Sequence, residues 1–508
     1  MNDQSENTKR IAKNTLMLYF RMLLIMGVSL YTVRIVLNTL GVVDYGIYNV
    51  VGGVVTMFSF LSGTMASASQ RFFAFELGRK NHEKLKKTFS MTMTIYTMIA
   101  VVILLLAETV GLWFLNTQMT IPLVRMEAAN WIYQFSIFSF MMTMFTIPYD
   151  AAIIAHERMN VYAWVSIVEV LLKLFIVYLL VIFSFDKLKL YGILIFGVTT
   201  LVTLIYRTYC KRKFEECKFS FYWDTKLFKE IAFYSGWNLF GALAGVFNNN
   251  GINIILNIFF GPIVNTARGI AYQVNSSINQ FVQNFMIATR PQITKYYASG
   301  EKEQMMRLVF QSSKFSFLLL FVLTMPVLLE TNYIFTIWLK IVPENVVLFT
   351  RLIIISTLID SLSYSLQTAA QATGKIKIYQ SVVGGVMLLN LPFAYLLLKL
   401  GYAPQIVFYL AILNSVLTLF LRLFMLNKMV DLSISSFIIQ VIIPSLLVTI
   451  VAYIPPFLIY QRTAESFLGF LSVALTGFIT SIITLYLLGL SKKERSFAKQ
   501  SIINIRKK

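Results

Sequence analysis

A train of apolar runs, each about as long as a bilayer is thick, limits this chain more than any other feature. A hydrocarbon core ~30 Å thick takes roughly 20 residues of helix. On that scale fourteen runs are read, near 14–40, 45–68, 89–115, 122–151, 160–184, 190–209, 231–260, 263–289, 308–330, 346–373, 376–398, 404–427, 435–459 and 466–490. Backbone amides in lipid find no water, so such runs fold as helices whose hydrogen bonds close within the segment. Charged residues make up 13% of the 508, against about 25% in a soluble domain. The expected fold class is therefore an all-α polytopic membrane protein with about 14 transmembrane helices.

The net charge of +21 comes mainly from short segments between the runs. With the N-terminus placed inside, 33 of the 44 Lys and Arg fall on the inner side, 7 on the outer side and 4 within spans. Basic residues collect in cytoplasmic loops, so both termini are expected in the cytoplasm. No folded basic domain is present to bind nucleic acid, and no outer segment is long enough to carry chemistry. The two cysteines, Cys210 and Cys217, match neither a zinc pattern nor a CxxC pair. The two histidines, His82 and His156, are far apart. No metal, cofactor or catalytic unit is expected. The first ten residues are polar and the run after them is too long for a signal h-region, so no cleavable signal peptide is expected.

The chain resembles itself at an offset near 220. Asn38 pairs with Asn257, Gly46 with Gly269, Arg71 with Arg290, Gly78 with Gly300, and Ala151-Ala152 with Ala369-Ala370. Six spans separate the copies, so they share one orientation, as in transporters built from parallel repeats. The expected organisation is an N-terminal six-helix lobe (1–210), a basic cytoplasmic linker (211–230), a C-terminal six-helix lobe (231–430), two additional helices (431–490) and a basic cytoplasmic tail (491–508). Such repeats predict a central cleft that opens alternately to each side.

The stretch VFNNNGINIILN (246–257) carries five asparagines inside an apolar span. Asn238, Asn249, Asn253 and Asn257 fall within about 80° of helical arc, which is one polar stripe. Asn248 lies off it and is expected to pack on a neighbouring helix. The next span adds Asn275, Asn279 and Gln283. Their repeat partners, spans 1 and 2, carry Arg21, Arg34, Asn38 and a serine-rich stretch. These four spans are the candidate cleft lining, with interhelical hydrogen bonding as the plainer reading of any single amide.

Charges inside the membrane are costly and mark function or pairing. Glu169 and Lys173 stand i, i+4 and can neutralise each other. Asp150 and Asp360 are candidate charge partners or coupling groups. Arg21, Arg34 and Arg268 have no acid at helical spacing. Arg21 and Arg34 are about 140° apart on a straight helix, and Arg34 shares the face of Asn38. The candidate substrate-binding set is Arg34, Arg268, Arg21, Lys173, Asn38, Asn249, Asn253, Asn257, Asn275, Asn279 and Gln283. Guanidinium groups bind phosphate bidentately and stay charged, so an anionic substrate is expected.

LGVVDYGIYNVVGG (40–53), followed by Gln70-Arg71-Phe72 and a basic loop, resembles Wzx-like polysaccharide flippases of the multidrug/oligosaccharidyl-lipid/polysaccharide (MOP) superfamily. The resemblance implies a bacterial inner-membrane exporter of undecaprenyl-pyrophosphate-linked oligosaccharide for O-antigen, capsule or a related polysaccharide, with a cationic cleft between two lobes. It implies as partners the lipid-linked oligosaccharide, membrane lipids and other glycan-assembly membrane proteins. Many Wzx-like members have twelve spans; the count of fourteen is shared with the lipid II flippase branch. A lipid II flippase and a multidrug exporter on the same fold therefore stay open as alternatives. A multidrug exporter predicts essential acids in the first lobe. A polymerase or ligase would need a reactive outer loop, and the short outer segments speak against it.

Overall fold

The computed structural model describes residues 2–56, 59–117, 119, 121–183, 185–339, 342–463, 465–491 and 494–495, leaving out the side chains of 2–9, 30, 33, 34, 37, 38, 42, 43, 45, 46, 49, 50, 52–56, 59, 60 and 262. All regular structure in them is helical. In chain order the helices are α1 (Asn2–Thr56), α2 (Ser59–Gly78), α3 (His82–Leu106), α4 (Leu112–Thr117), α5 (Met126–Ala155), α6 (Met159–Ile182), α7 (Lys187–Lys213), α8 (Thr225–Phe260) and α9 (Pro262–Ala298). They continue as α10 (Lys302–Leu329), α11 (Thr331–Leu339), α12 (Val346–Ser361), α13 (Tyr364–Ala372), α14 (Lys377–Lys399), α15 (Ile406–Val430), α16 (Ile434–Phe437), α17 (Ile443–Tyr460) and α18 (Phe467–Thr484).

Two glycines set the breaks that the sequence marks. Gly41, at φ 80° and ψ 167°, interrupts α1 in a region of backbone space open essentially to glycine. Gly261, at φ 73°, turns α8 into α9, and Pro262 follows where a helix needs no amide donor.

Among the described residues, twelve helical segments are long and apolar enough to cross a membrane. They correspond to all the expected spans except 45–68 and 263–289, so about 14 agrees with the fold. Part of 45–68 lies outside the described residues. The span 263–289 lies in α9, which is 37 residues long and rich in amides and hydroxyls. The apolarity criterion therefore misses the span that carries Asn275, Asn279 and Gln283.

The chain forms two compact units, Met1–Ala242 with Ile287–Gly300 and Leu243–Met286 with Glu301–Lys508. Helices α8 and α9 each contribute to both units. Pro291 lies inside α9, where a proline lacks the amide that would close onto the carbonyl four residues back.

In the first unit α5 is the most enclosed helix. Its small residues Ala151, Ala152 and Ala155 are fully buried or nearly so, and α2 and α7 pack against it. Small side chains allow the close backbone approach that stabilises helix pairs in lipid. The Tyr133 hydroxyl donates to the Ala107 carbonyl at 2.8 Å, at a π-turn over Ala107–Gly111 where that oxygen also accepts from the Leu112 amide. A Cβ on Gly111 would lie 2.0 Å from the Tyr133 hydroxyl, so only glycine fits. Arg125 joins α1, past its break at Gly41, to the turn before α7: its Nε donates to Asp44 at 2.8 Å and its Nη1 to Asp186 at 2.7 Å. Burial alone would push Asp186 up. The Arg125 hydrogen bond and the backbone amides of Lys189 and Leu188 outweigh it and hold the carboxyl below the usual range.

In the second unit Phe335, Phe349 and Phe408 centre an apolar core, with the Phe349 and Phe408 rings 4.3 Å apart. Helices α17 and α18 pack on each other and on α10. Gly477 permits that seam, since a Cβ there would meet Met325 at 2.8 Å. Lys314 on α10 pairs with Glu494 at 2.8 Å.

Candidate functional site

The second unit holds the more telling cluster. The turn at Gly261 folds α9 back along α8, so residues spaced i, i+4 on α8 meet residues spaced i, i+3 on α9. Asn265 donates from Nδ2 to the Asn253 carbonyl at 3.1 Å. Arg268 Nη1 donates to Asn253 Oδ1 at 2.8 Å. Its Nη2 donates to Asn249 Oδ1 at 2.5 Å and to the Asn249 carbonyl at 3.1 Å. The guanidinium also lies over the Tyr272 ring, 4.3 Å from its centre. Arg268 is only 3% exposed.

Two members of the asparagine stripe therefore have a use that spacing alone does not reveal: Asn249 and Asn253 clamp an arginine. The acceptors are neutral, and no carboxylate pairs with Arg268 among the described residues. Amides fix the position of the guanidinium without cancelling its charge. The Arg268 Nε and Asn265 Oδ1 are buried with no hydrogen-bond partner.

The other candidate intramembrane charges whose side chains are described have charged or aromatic partners. In the first unit Arg21 lies over the Tyr162 ring at 4.4 Å and donates to its hydroxyl at 3.3 Å. Asp150 is close enough to Arg21 for the two charges to act on each other. Lys173 donates to Glu169 at 2.6 Å, the pairing their spacing predicts. In the second unit Asp360 interacts with Arg422 and with the Ser415 hydroxyl.

The remaining expected site residues divide as follows. Asn257 is exposed, and its carbonyl accepts from Gly261 N at 2.8 Å. Asn275 is half-buried. Asn279 accepts from the Tyr364 hydroxyl at 3.2 Å, and Gln283 bonds the same hydroxyl. Asn248 packs on a neighbour as expected, accepting from Asn390 Nδ2 at 3.0 Å. The side chains of Arg34 and Asn38 lie outside the described residues.

The exposed residues of α9 from position 264 to 290 are Thr266, Gly269, Gln273, Ser276, Ser277 and Gln280. They recur at three- and four-residue steps on one face, about 21 Å long at 1.5 Å per residue, and none is apolar. The exposed faces of α14 and α18 are greasy by contrast, with Leu389, Phe393 and Leu396 on the first and Phe478, Ile479 and Ile482 on the second. A polar face of that length on a membrane-spanning helix needs water or a polar ligand against it.

Sequence reasoning did not name Asn265, Tyr272, Tyr162 or Arg422 as partners of these groups. A signal existed for two of them: Asn265 and Tyr272 stand i−3 and i+4 from Arg268, on its own face of α9.

The chain matches the family of polysaccharide biosynthesis proteins over residues 11–297, more than half its length. No curated protein sequence matches it. Its fold is shared with solved MATE transporters. An outward-facing multidrug resistance MATE family transporter of the MOP superfamily aligns with a TM-score of 0.68 at 12% identity, covering 83% of this chain and 96% of that one. MATE in its bent conformation aligns at 0.71 and 11%, covering 84% and 96%. The MATE transporter ClbM in complex with Rb+ aligns at 0.70 and 15%, covering 84% and 96%.

Proposed function

Because this chain belongs to the family of polysaccharide biosynthesis proteins, within the MOP superfamily of exporters, we propose that it carries a polyprenyl-pyrophosphate-linked oligosaccharide across the bacterial inner membrane by alternating access. Both termini lie in the cytoplasm, and the products are O-antigen, capsule or a related polysaccharide. The observation that carries this reading is Arg268, a buried cation held by neutral amides, which leaves its charge to attract an anion. The uncharged polar face of α9 complements it, since Gln and Ser side chains suit sugar hydroxyls. The prenyl chain stays in lipid. A negative-inside potential of 100 mV favours outward movement of each negative charge by about 2.3 kcal/mol.

Arg268→Ala is expected to lower surface glycan and to raise the inner pool of lipid-linked precursor, with Arg268→Lys in between. Normal glycan and a normal pool in Arg268→Ala would remove the assignment. The acids of the first unit give the multidrug reading its one foothold: loss of drug resistance on changing Asp150→Asn, with glycan intact, favours that reading. Build-up of peptidoglycan precursor in place of a glycan-locus precursor points to the lipid II alternative.

A further inference from the structure

The turn between α5 and α6 holds a glutamate that the transport reading does not use. Glu157 has a left-handed backbone, φ 59°, which non-glycine residues adopt at a cost. Among the described residues three other non-glycine residues do so, Lys80, Asn345 and Asp431, and none of them is buried. Glu157 is 4% exposed. In the second repeat the matching turn follows Ala369-Ala370 and uses Gly374 at φ 74°. The turn itself therefore asks for glycine. A buried glutamate there points to a task for the side chain.

That task is visible in its contacts. One carboxylate oxygen takes Arg10 Nε at 2.8 Å and the other takes Lys295 Nζ at 2.6 Å. Arg10 also donates to Gln292 at 3.2 Å. Asn14 donates to the Glu157 carbonyl at 3.2 Å. One acid thus ties the start of α1 to the end of α9. The end of α2 joins them: a Cβ on Gly78 would lie 2.7 Å from the Lys295 carbonyl. The cation side chains are partly hydrated, with Arg10 48% and Lys295 22% exposed, against 1% for Glu157. Partly hydrated cations can exchange a carboxylate for water, so such a tie is reversible in a way that a dry apolar seam is not.

We propose that Glu157 is a latch on the cytoplasmic end of the transporter: its two ion pairs hold α1 and α9 together in this state and must part for that end to open. The proposal rests on the alternating-access reading for why the end opens, but not on what is carried.

The test uses full-length protein with Cys210→Ala, Cys217→Ala and a reporter Thr15→Cys, at a position 8% exposed on α1. Maleimide labelling from the cytoplasmic side is timed in inverted membrane vesicles from cells unable to make the precursor. Cargo then plays no part, and this outcome is separable from the glycan assay. Glu157→Gln is expected to raise the labelling rate several-fold. Glu157→Gly should do the same even though it relieves the backbone, and Lys295→Met and Arg10→Leu should each raise it less. Unchanged labelling in Glu157→Gln and Glu157→Gly overturns the latch. Should either fail to accumulate, unchanged labelling in both Lys295→Met and Arg10→Leu overturns it as well.

Discussion

The sharpest perturbation of the arginine clamp is Asn253→Asp, which replaces one atom group by another of the same size. The Asn253 Oδ1 already accepts from Arg268 at 2.8 Å, so an aspartate there keeps the hydrogen bond and strengthens it. Folding should not suffer. What changes is the field. A unit charge acting on an anion ~6 Å away at an effective dielectric of ~20 is worth about 2.8 kcal/mol, or roughly 100-fold in binding at 1.36 kcal/mol per decade. A carboxylate against the guanidinium cancels most of that. Export in Asn253→Asp should therefore fall by about two orders of magnitude, at normal protein level and undiminished thermal stability in detergent. Asn253→Ala should do the opposite: it loses one interhelical hydrogen bond, about 0.6–2 kcal/mol, but keeps the charge and much of the export. The assay is surface glycan against precursor pool, with membrane protein level alongside. Wild-type export in Asn253→Asp would refute the reasoning, because Arg268 would then be structural and its charge idle.

Two further outcomes follow from the fold. Gly41→Ala forces a side chain onto φ 80°, ψ 167° where no neighbour crowds it, so the cost is backbone strain alone, about 1–3 kcal/mol, read as a lower detergent melting temperature. Asp186 is held below the usual carboxylate range when folded, so its contribution is present above its unfolded value near 3.9 and is lost as pH falls through the lower folded value. The melting-temperature gap between wild type and Asp186→Asn should hold from pH 7 to about 4 and close below that; a gap that persists at lower pH contradicts the ion pair with Arg125.

The spans were legible because lipid makes a simple demand: length and apolarity. The same demand explains why the apolarity criterion passes over 263–289. The run 263–289 is read from its length, and its amides and hydroxyls lower its apolarity below that of its neighbours. The angular arrangement of Asn249 and Asn253 was also legible, since a helix fixes it. Their partner was not. Whether an amide faces sugar, water or Arg268 depends on how α8 and α9 fold together at Gly261, and periodicity within one helix carries no information about that. Glu157 was hidden for a related reason. In the sequence it stands beside Arg158 in a polar turn, where glutamates are usually solvated, and its burial comes from segments more than a hundred residues away.

Helix α9 has a mechanical consequence. It bears the clamped Arg268 in one compact unit and the latched Lys295 in the other, on either side of Pro291. Proline is where helices bend, and the 23 residues from Arg268 to Pro291 make an arm ~35 Å long at 1.5 Å per residue. A bend of ~10° at Pro291 swings the arginine end by ~6 Å, about one helical turn. A rod of that length has the leverage of a crank: a small change of angle at its short end becomes a displacement of several ångströms at its long end.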